Sequence, residues 1–375
     1  MRTESTVMHR RRVAVPAAQR LITRDVAPGA AHSLATVSVV ITCYNYARFL
    51  AGAVGSALSQ SDVDVDVIIV DDCSSDESVE VAQRLVAADH RVRLIRHTVN
   101  RGPVEAFNHG LSHATGEYLV RLDADDLLTP GALSRAVRLG RRFPSVGLIY
   151  GHPVHFIDGR PLPAARTVPT AWSVWPGSEW VQGRCTDGRN VITSAEVVMR
   201  RSVVDRLGGQ RDLAHTHDME MWLRLASFSD VGYVHGADQA WHRDHESSLS
   251  AREVDLAKDH AERRLAFETL FSGPTGGLDW AEAACRLVRE RLDRELLELL
   301  EHEVDANGGT SSTFARLLEL DLTPSRRNLL RRDRILRRAA RGRGPSDHLM
   351  SFARRASGRI RRDRAQRNWH QNGEY

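Results

Sequence analysis

The chain is short of several things, and each shortage removes a class of explanation. It has four cysteines in 375 residues, Cys43, Cys73, Cys185 and Cys285. No two make a CxxC pair and none joins histidines at metal-site spacing, so neither a disulfide framework nor a zinc module organises the fold. A reducing cytoplasm is the expected compartment. Lysine is nearly absent: Lys258 is the single one, and arginine carries the positive charge. That bias points to codon composition rather than to chemistry. Aromatics make up only 6% of the residues, although seven are tryptophan. No apolar run approaches the roughly 20 residues that a spanning helix needs. The arginines near the N-terminus are not followed by the apolar segment of a secretory signal. There is no GxGxxG after the first strand-like run and no GxxxxGK[ST] anywhere. A phosphate cradle built from backbone amides is therefore not signalled. If phosphates bind here, a metal has to neutralise them.

What is present is an ordinary globular inventory. Hydrophobic residues make up 42%, and the net charge is +4 with a pI near 9.1. The length suits one large domain with an appendage, or two domains. Residues 1–36 show no sustained periodicity and read as a mostly disordered leader. Val37 to Thr42 (VSVVIT) and Val65 to Val70 (VDVIIV) are continuous, β-branched runs, the pattern of strands buried inside a parallel sheet. Each is followed by a polar break and then by apolar residues at helical spacing. Ser74 or Ser75 is placed to cap the second helix. A third strand is expected over Arg91 to Ile95 and a helix over Val104 to Ala114.

The centre of the pattern is Gly116 to Leu128, GEYLVRLDADDLL. It reads as a buried strand that ends in Asp123, Asp125 and Asp126. Carboxylates so crowded repel one another, and a hard divalent cation such as Mg²⁺ or Mn²⁺ would relieve them. The plainer alternative is a solvated acidic turn before the helix that follows Pro130. Alternating strand and helix predicts a parallel sheet, whose ligands bind beyond the carboxyl ends of the strands. Thr42-Tyr44, Asp71-Asp72 and Asp123-Asp125 all fall at such ends. Asp71-Asp72 could merely form a capping loop. It could also accept a hydrogen bond from a nucleobase ring N–H, with the Tyr44 ring close to the base.

Taken together, VSVVITCYN, VIIVDDCSSDES and NRGPVEAFNHGLSHATGEYLVRLDADD resemble the pattern of glycosyltransferase family 2, over roughly Val37 to Ser250. The resemblance implies a GT-A fold: α/β, with a Rossmann-like, mostly parallel central sheet flanked by helices. It implies that Thr42, Tyr44 and Asp72 hold the nucleoside of a nucleotide diphosphosugar, with a preference for uridine. Asp123 and Asp125 match the family's DxD. Asp123 would reach the ribose, and both would hold Mg²⁺ or Mn²⁺, Asp125 the more directly. This sequence has Thr42 where many relatives have proline.

Further along, Leu148 to Phe156 reads as another strand, and Asn190 to Arg200 as a strand entering a helix. Trp172, Trp175 and Trp180 sit in a stretch rich in proline and glycine. They suit core anchors and a sugar-stacking platform equally. His217 to Leu225 (HDMEMWLRL) has a helical apolar face. It resembles the family's acidic pair at the start of a helix, with His217 in place of the usual glutamate. By that match Asp218 would be the general base, with Glu220 as the fallback and His215 and His217 as helpers. The alternative is a pair of carboxylates that only favours the helix dipole. Trp241 to Ser250 (WHRDHESSLS) resembles the family's aromatic-R-x-H-x-x-S-x-S ending, with His242 at the arginine position. His245 would then approach the metal or diphosphate, Arg243 could supply charge to the phosphates, and Ser248 and Ser250 follow. The plain alternative is a solvated histidine-rich loop.

Leucines from Leu256 to Leu300 mark a helical extension over 251–322, and arginines dominate 323–375. The basic amphipathic pattern there suits the anionic inner face of a membrane as well as it suits a solvated helix. It suits nucleic acid least, because aromatics for base stacking are scarce. The expected activity is inverting, metal-dependent transfer of a sugar from a nucleotide diphosphosugar to a hydroxyl on a glycan, lipid-linked glycan or small molecule. The other readings are a non-catalytic nucleotide-sugar-binding protein of the same fold, and a nucleotidyltransferase.

Overall fold

The structure, a computed structural model, describes residues 19–21, 33–245 and 255–341. The first half alternates as expected: β1 (Gln19–Leu21), β2 (Ala35–Cys43), α1 (Ala47–Leu58), β3 (Val63–Asp71), α2 (Ser78–Ala88), β4 (Val92–Arg96), α3 (Pro103–Ser112) and β5 (Tyr118–Asp123). Then come β6 (Leu127–Leu128), α4 (Ala132–Arg142), β7 (Val146–Ile157), β8 (Ala171–Trp175), α5 (Gly177–Asp187), β9 (Val198–Arg200), α6 (Arg201–Leu207), α7 (His217–Ser227) and β10 (Asp230–Asp244). The strands form one sheet in the order β1-β8-β10-β7-β9-β5-β2-β3-β4, with β6 paired to β10. β5, β2, β3 and β4 run parallel to one another, and β7 runs parallel to β10. β9 runs antiparallel to both β5 and β7 and joins the two parallel blocks.

Both faces of the parallel block are covered, which is why its strands are apolar throughout rather than alternating. Val37, Val39 and Ile41 of β2 enter the core under α1 and α4, whereas Val40 enters the core on the opposite face with Phe107 of α3. Ser38 lies fully buried, and its hydroxyl donates to Asp66 and accepts the amide of Gly116. A Cβ on Gly116 would stand 2.5 Å from the Ser38 amide nitrogen. Glycine opens the central stretch because β5 must enter the sheet against the β2 backbone.

Two expectations need revision. Part of the leader, expected to be disordered, is strand β1, which pairs antiparallel with β8. β8 would otherwise present an unpaired backbone edge, and a second strand satisfies it. The boundary at residue 323 also divides what packs together. The extension consists of α8 (Leu256–Ser272), a 3₁₀ turn (Pro274–Gly277), α9 (Ala281–Asn307), α10 (Ser312–Glu319) and α11 (Arg326–Arg341). Ile335 of α11 joins Leu296, Leu300, Phe314 and Leu317 in a separate small core. Arg331 and Arg338 pair with Glu301 and Asp305 of α9. Phe267 of α8 and Val288 and Leu292 of α9 reach the main core, so the extension is docked onto the sheet domain. The remainder of the arginine-rich segment, 342–375, lies outside the described residues. No helix among the described residues is long and apolar enough to cross a membrane.

Candidate active site

The parallel register aligns the carboxyl ends of the strands that matter. Thr42 on β2 stands opposite Val70 on β3 and Asp123 on β5, and Cys43 stands opposite Asp71. The loops beyond those ends are then laced together. Asn45, in the left-handed region at φ 60°, accepts the Ser75 amide at 2.8 Å through its side-chain carbonyl. Its own amide donates to the Ser74 hydroxyl at 3.0 Å, and the Ala47 amide donates to Asp76. Ser74 and Ser75 therefore do not cap α2. That helix begins later, where Asp76 accepts both the amide and the hydroxyl of Ser78.

Within this rim Tyr44 is exposed, at 48%, and Thr42 is half-buried. Asp72 is only 4% exposed. One of its oxygens accepts from the His97 ring at 2.7 Å and from the Arg101 amide at 2.9 Å. The other accepts from the Gly102 amide at 2.8 Å. Asp72 thus pins the turn between β4 and α3 to the rim, and its second oxygen keeps one lone pair. The far nitrogen of His97 meets His109 at 2.8 Å, extending the network into α3.

The three aspartates after β5 have three different partners. Asp123 accepts from Arg121 at 2.9 Å. Asp125 meets the Nε2 of His245 at 2.8 Å. Asp126, 1% exposed, accepts the Arg243 amide at 2.8 Å and faces the Nδ1 of His242 at 3.0 Å. Expectation placed something positive among these carboxylates; Arg121 and His242 occupy that role in part. Their compensation is incomplete at Asp125, where burial and then the charges of Asp126 and Asp123 push the carboxyl up to about 6. At His242, burial opposes the charged form, but the Asp126 carboxylate outweighs it and lifts the ring to about 9. Arg243, considered for the phosphates, is already engaged. It donates to the Asp125 carbonyl and to Asp158, and its guanidinium lies between the Phe49 and Phe156 rings at 4.4 and 4.6 Å.

The donor chemistry suits a hard divalent cation. Asp125 is a crowded carboxylate, Asp123 has a second oxygen beyond its Arg121 bond, and the His245 ring borders both α1 and Asp125. Among the described residues, however, the group of three whose ligand atoms lie within 4.8 Å of one another is a different one: His155, His242 and Asp244. Sequence reading assigned no role to His155 or Asp244. Ser248 and Ser250 lie outside the described residues.

At the first turn of α7, Asp218 is half-exposed. Its carboxylate accepts the Ser194 hydroxyl at 2.8 Å and the Met219 amide at 2.6 Å. Ser194 is held at φ 112° in the loop before β9, which aims its hydroxyl at Asp218. Glu220, the fallback base, is fully buried and grips Arg224 through both oxygens at 3.0–3.2 Å. Arg224 in turn donates to the carbonyls of Leu207, Gly208 and Gly209. Glu220 is therefore a structural anchor with no access to substrate. Glu220→Ala strands a buried guanidinium and is expected to cost about 3–5 kcal/mol of stability, read as a lowered urea midpoint.

His217 is buried, and burial, followed by the charge of Arg121, keeps its pKa below the ordinary value. Its Nδ1 faces the Leu213 carbonyl at 3.2 Å, so Nδ1 carries the proton, and Nε2 accepts from Arg121 at 3.2 Å. Arg121 thereby ties the start of α7 to Asp123. This link between Asp123 and α7 was hidden in the sequence, where Arg121 reads as an interruption in an apolar run. His215 lies half-buried, with its amide facing Glu262 at 3.5 Å.

The tryptophans are core. Trp172, Trp175 and Trp180 are 4–6% exposed, and Trp180 donates to the Tyr150 hydroxyl. Their faces are closed to a sugar, and the platform reading is withdrawn. β8 and α5 bury them because the sheet continues through this stretch.

A mixed sheet of two parallel blocks joined by an antiparallel strand, flanked by helices, is the architecture of a GT-A fold. The chain belongs to glycosyltransferase family 2. The family model described as glycosyl transferase family 2 matches residues 38–208. The glycosyltransferase-named protein EpsE of Bacillus subtilis is 31% identical over 201 residues, 52% of this chain and 69% of EpsE. A Rhizobium meliloti succinoglycan biosynthesis protein, ExoO, is 38% identical over 137 residues, 36% of this chain and 38% of that one. An uncharacterised glycosyltransferase of Nostoc is 40% identical over 124 residues. The match thus spans well under half of the Nostoc and Rhizobium proteins, 38% of each. Among solved structures, Staphylococcus aureus TarS with UDP-GlcNAc shares the fold at 15% identity and a TM-score of 0.54, covering 74% of this chain and 77% of that one.

Proposed function

We propose that the chain transfers a sugar from a UDP-linked donor to a hydroxyl acceptor, with inversion at the anomeric carbon, in the assembly of a polysaccharide, an envelope glycan or a glycosylated metabolite. The observation that carries this reading is the laced rim. The ends of β2, β3 and β5 are in register, and Arg121 and His217 connect that rim to a half-exposed carboxylate, Asp218. The UDP-GlcNAc complex of TarS, whose fold the chain shares, supports the donor class.

In this reading the exposed Tyr44 ring stacks on the base, and Asp72 uses its remaining lone pair for the ring N–H. Thr42 lines the nucleoside and Asp123 reaches the ribose. Asp123, Asp125 and His245 would hold Mg²⁺ or Mn²⁺, which supplies Lewis-acid stabilisation of the leaving nucleoside diphosphate. Asp218 takes the proton of the acceptor hydroxyl as that oxygen attacks the anomeric carbon from the face opposite the leaving group. The Ser194 and Met219 hydrogen bonds fix which of its lone pairs remain for that proton. A displacement of this kind forms no covalent sugar–enzyme bond.

The test is product analysis with a panel of nucleotide sugars, Mn²⁺ and hydroxyl acceptors. Release of nucleoside diphosphate together with an inverted glycoside is expected. Release of pyrophosphate would mark a nucleotidyltransferase, and no release from any donor would mark a binding protein. Tyr44→Ala is expected to weaken UDP binding about tenfold, since base–aromatic stacking contributes about 1–3 kcal/mol. Its melting temperature should change little, because about half of the residue is exposed; calorimetric titration with UDP checks the first point and a thermal melt the second.

For the compartment we infer the reducing cytoplasm, which four free cysteines support. The outward face of α11, with Leu329, Leu330 and Leu336 among arginines, supports contact with an anionic membrane surface.

A further inference from the structure

We propose that His155, His242 and Asp244 form a second cation site, one for a late first-row divalent ion of the Zn²⁺ kind, separate from the Asp123–Asp125 pair. The sheet builds it. β7 and β10 run parallel with His155 directly opposite His242, and Asp244 follows His242 by two residues. A two-residue step returns a strand to the same face, so all three side chains emerge together. Their ligand atoms lie within 4.8 Å of one another, and the two imidazole rings are 4.7 Å apart.

One edge of the trio already has the spacing of a coordination shell. The Nδ1 of His155 and the Oδ1 of Asp244 are 3.2 Å apart. Ligands bonded to zinc at about 2.0–2.2 Å lie about 3 Å from each other, so this pair already spans one edge of a polyhedron. A proton now shared across that edge would leave to solvent as the ion enters. The third ligand is oriented from behind. The Nδ1 of His242 donates to the buried Asp126, whose other oxygen is held by the Arg243 amide. That leaves the Nε2 of His242 to ligate, and the proton the charged ring carries there would leave to solvent as the ion enters. A carboxylate behind a ligating histidine is the usual supporting arrangement at metal sites.

Two imidazoles and one carboxylate select zinc and its late neighbours over the hard cations expected of the acidic pair. The three side chains are 27%, 31% and 52% exposed, so an ion has a way in and a position left for solvent. The two sites share the acidic loop but no ligand, because Asp125 pairs with His245 whereas Asp126 only supports His242. Occupancy would clamp the carboxyl ends of β7 and β10 beside that loop.

The experiment uses the full chain, stripped with a chelator and titrated with Co²⁺, without nucleotide, while its visible d–d absorption is followed; Zn²⁺ is then added in competition. One Co²⁺ per chain, displaced by Zn²⁺, is expected. Binding should weaken at least about tenfold in His155→Ala and in the near-isosteric Asp244→Asn, and should persist in Asp125→Asn. Absence of Co²⁺ binding overturns the proposal, as does binding that survives both His155→Ala and Asp244→Asn or is lost in Asp125→Asn. UDP-dependent Mn²⁺ binding by His155→Ala reports separately on the donor site, so failure of one reading is distinguishable from failure of the other.

Discussion

Asp125→Ala is expected to reduce metal-dependent sugar transfer by about 10³-fold or more, a loss of about 4 kcal/mol of transition-state stabilisation. The reason is local. Asp125 is the most crowded carboxylate on the rim, held up at about 6 by burial and by the charges of Asp126 and Asp123. A divalent cation bound there would relieve that crowding. The same crowding separates this effect from unfolding. A carboxyl whose folded pKa is raised contributes stability that is present at low pH and is lost as pH rises from the ordinary carboxylate range through about 6. Above that pH the charged Asp125 works against the metal-free fold. The alanine variant should therefore melt no lower than the parent at neutral pH in a chelator, and its melting temperature should vary less between pH 4 and pH 6. Thermal melts across that range, run beside a transfer assay with and without Mn²⁺, read both parts. A variant that keeps Mn²⁺-stimulated transfer would move the metal elsewhere.

Asp218→Asn is expected to keep donor binding within about twofold and to lose turnover by about 10²–10⁴-fold, the usual contribution of a positioned general base. The substitution is close to isosteric: the asparagine oxygen can still accept the Met219 amide, and the NH₂ that replaces the other oxygen can donate to the Ser194 hydroxyl oxygen. Only the ability to take a proton is removed. Calorimetry with UDP and a turnover assay separate the two quantities. Near-normal turnover would remove Asp218 from the role. Glu220 could not replace it, since its carboxylate is sealed against Arg224. Loss of donor affinity in step with turnover would instead mean that the Arg121–His217 link carries strain from α7 back to Asp123.

Much of this was legible in the chain because the parallel block writes itself in runs. VSVVIT and VDVIIV could be little else than doubly covered strands, and their register places Thr42, Cys43, Asp71 and Asp123 at one edge. What escaped was everything set by side chains arriving from elsewhere. Asp72 holds the β4–α3 turn through His97, Arg101 and Gly102, residues 25–30 positions away. Composition could not decide whether the tryptophans between residues 172 and 180 packed or stacked on sugar; burial decides for packing. His155 and His242 are 87 positions apart, since 242 − 155 = 87, and only the parallel pairing of β7 with β10 brings them together. The one available signal was the alternation in His242-Arg243-Asp244, which puts two ligand-type residues on one face of a strand.

The most direct measurement of the central claim is a calorimetric titration of the full chain with UDP, in Mn²⁺ and then in excess chelator. Loops gathered on one rim around a cation beneath the diphosphate predict that UDP binds in Mn²⁺ and at least about tenfold more weakly without it. Equal affinity in the two conditions would contradict a metal-held donor at this edge of the sheet.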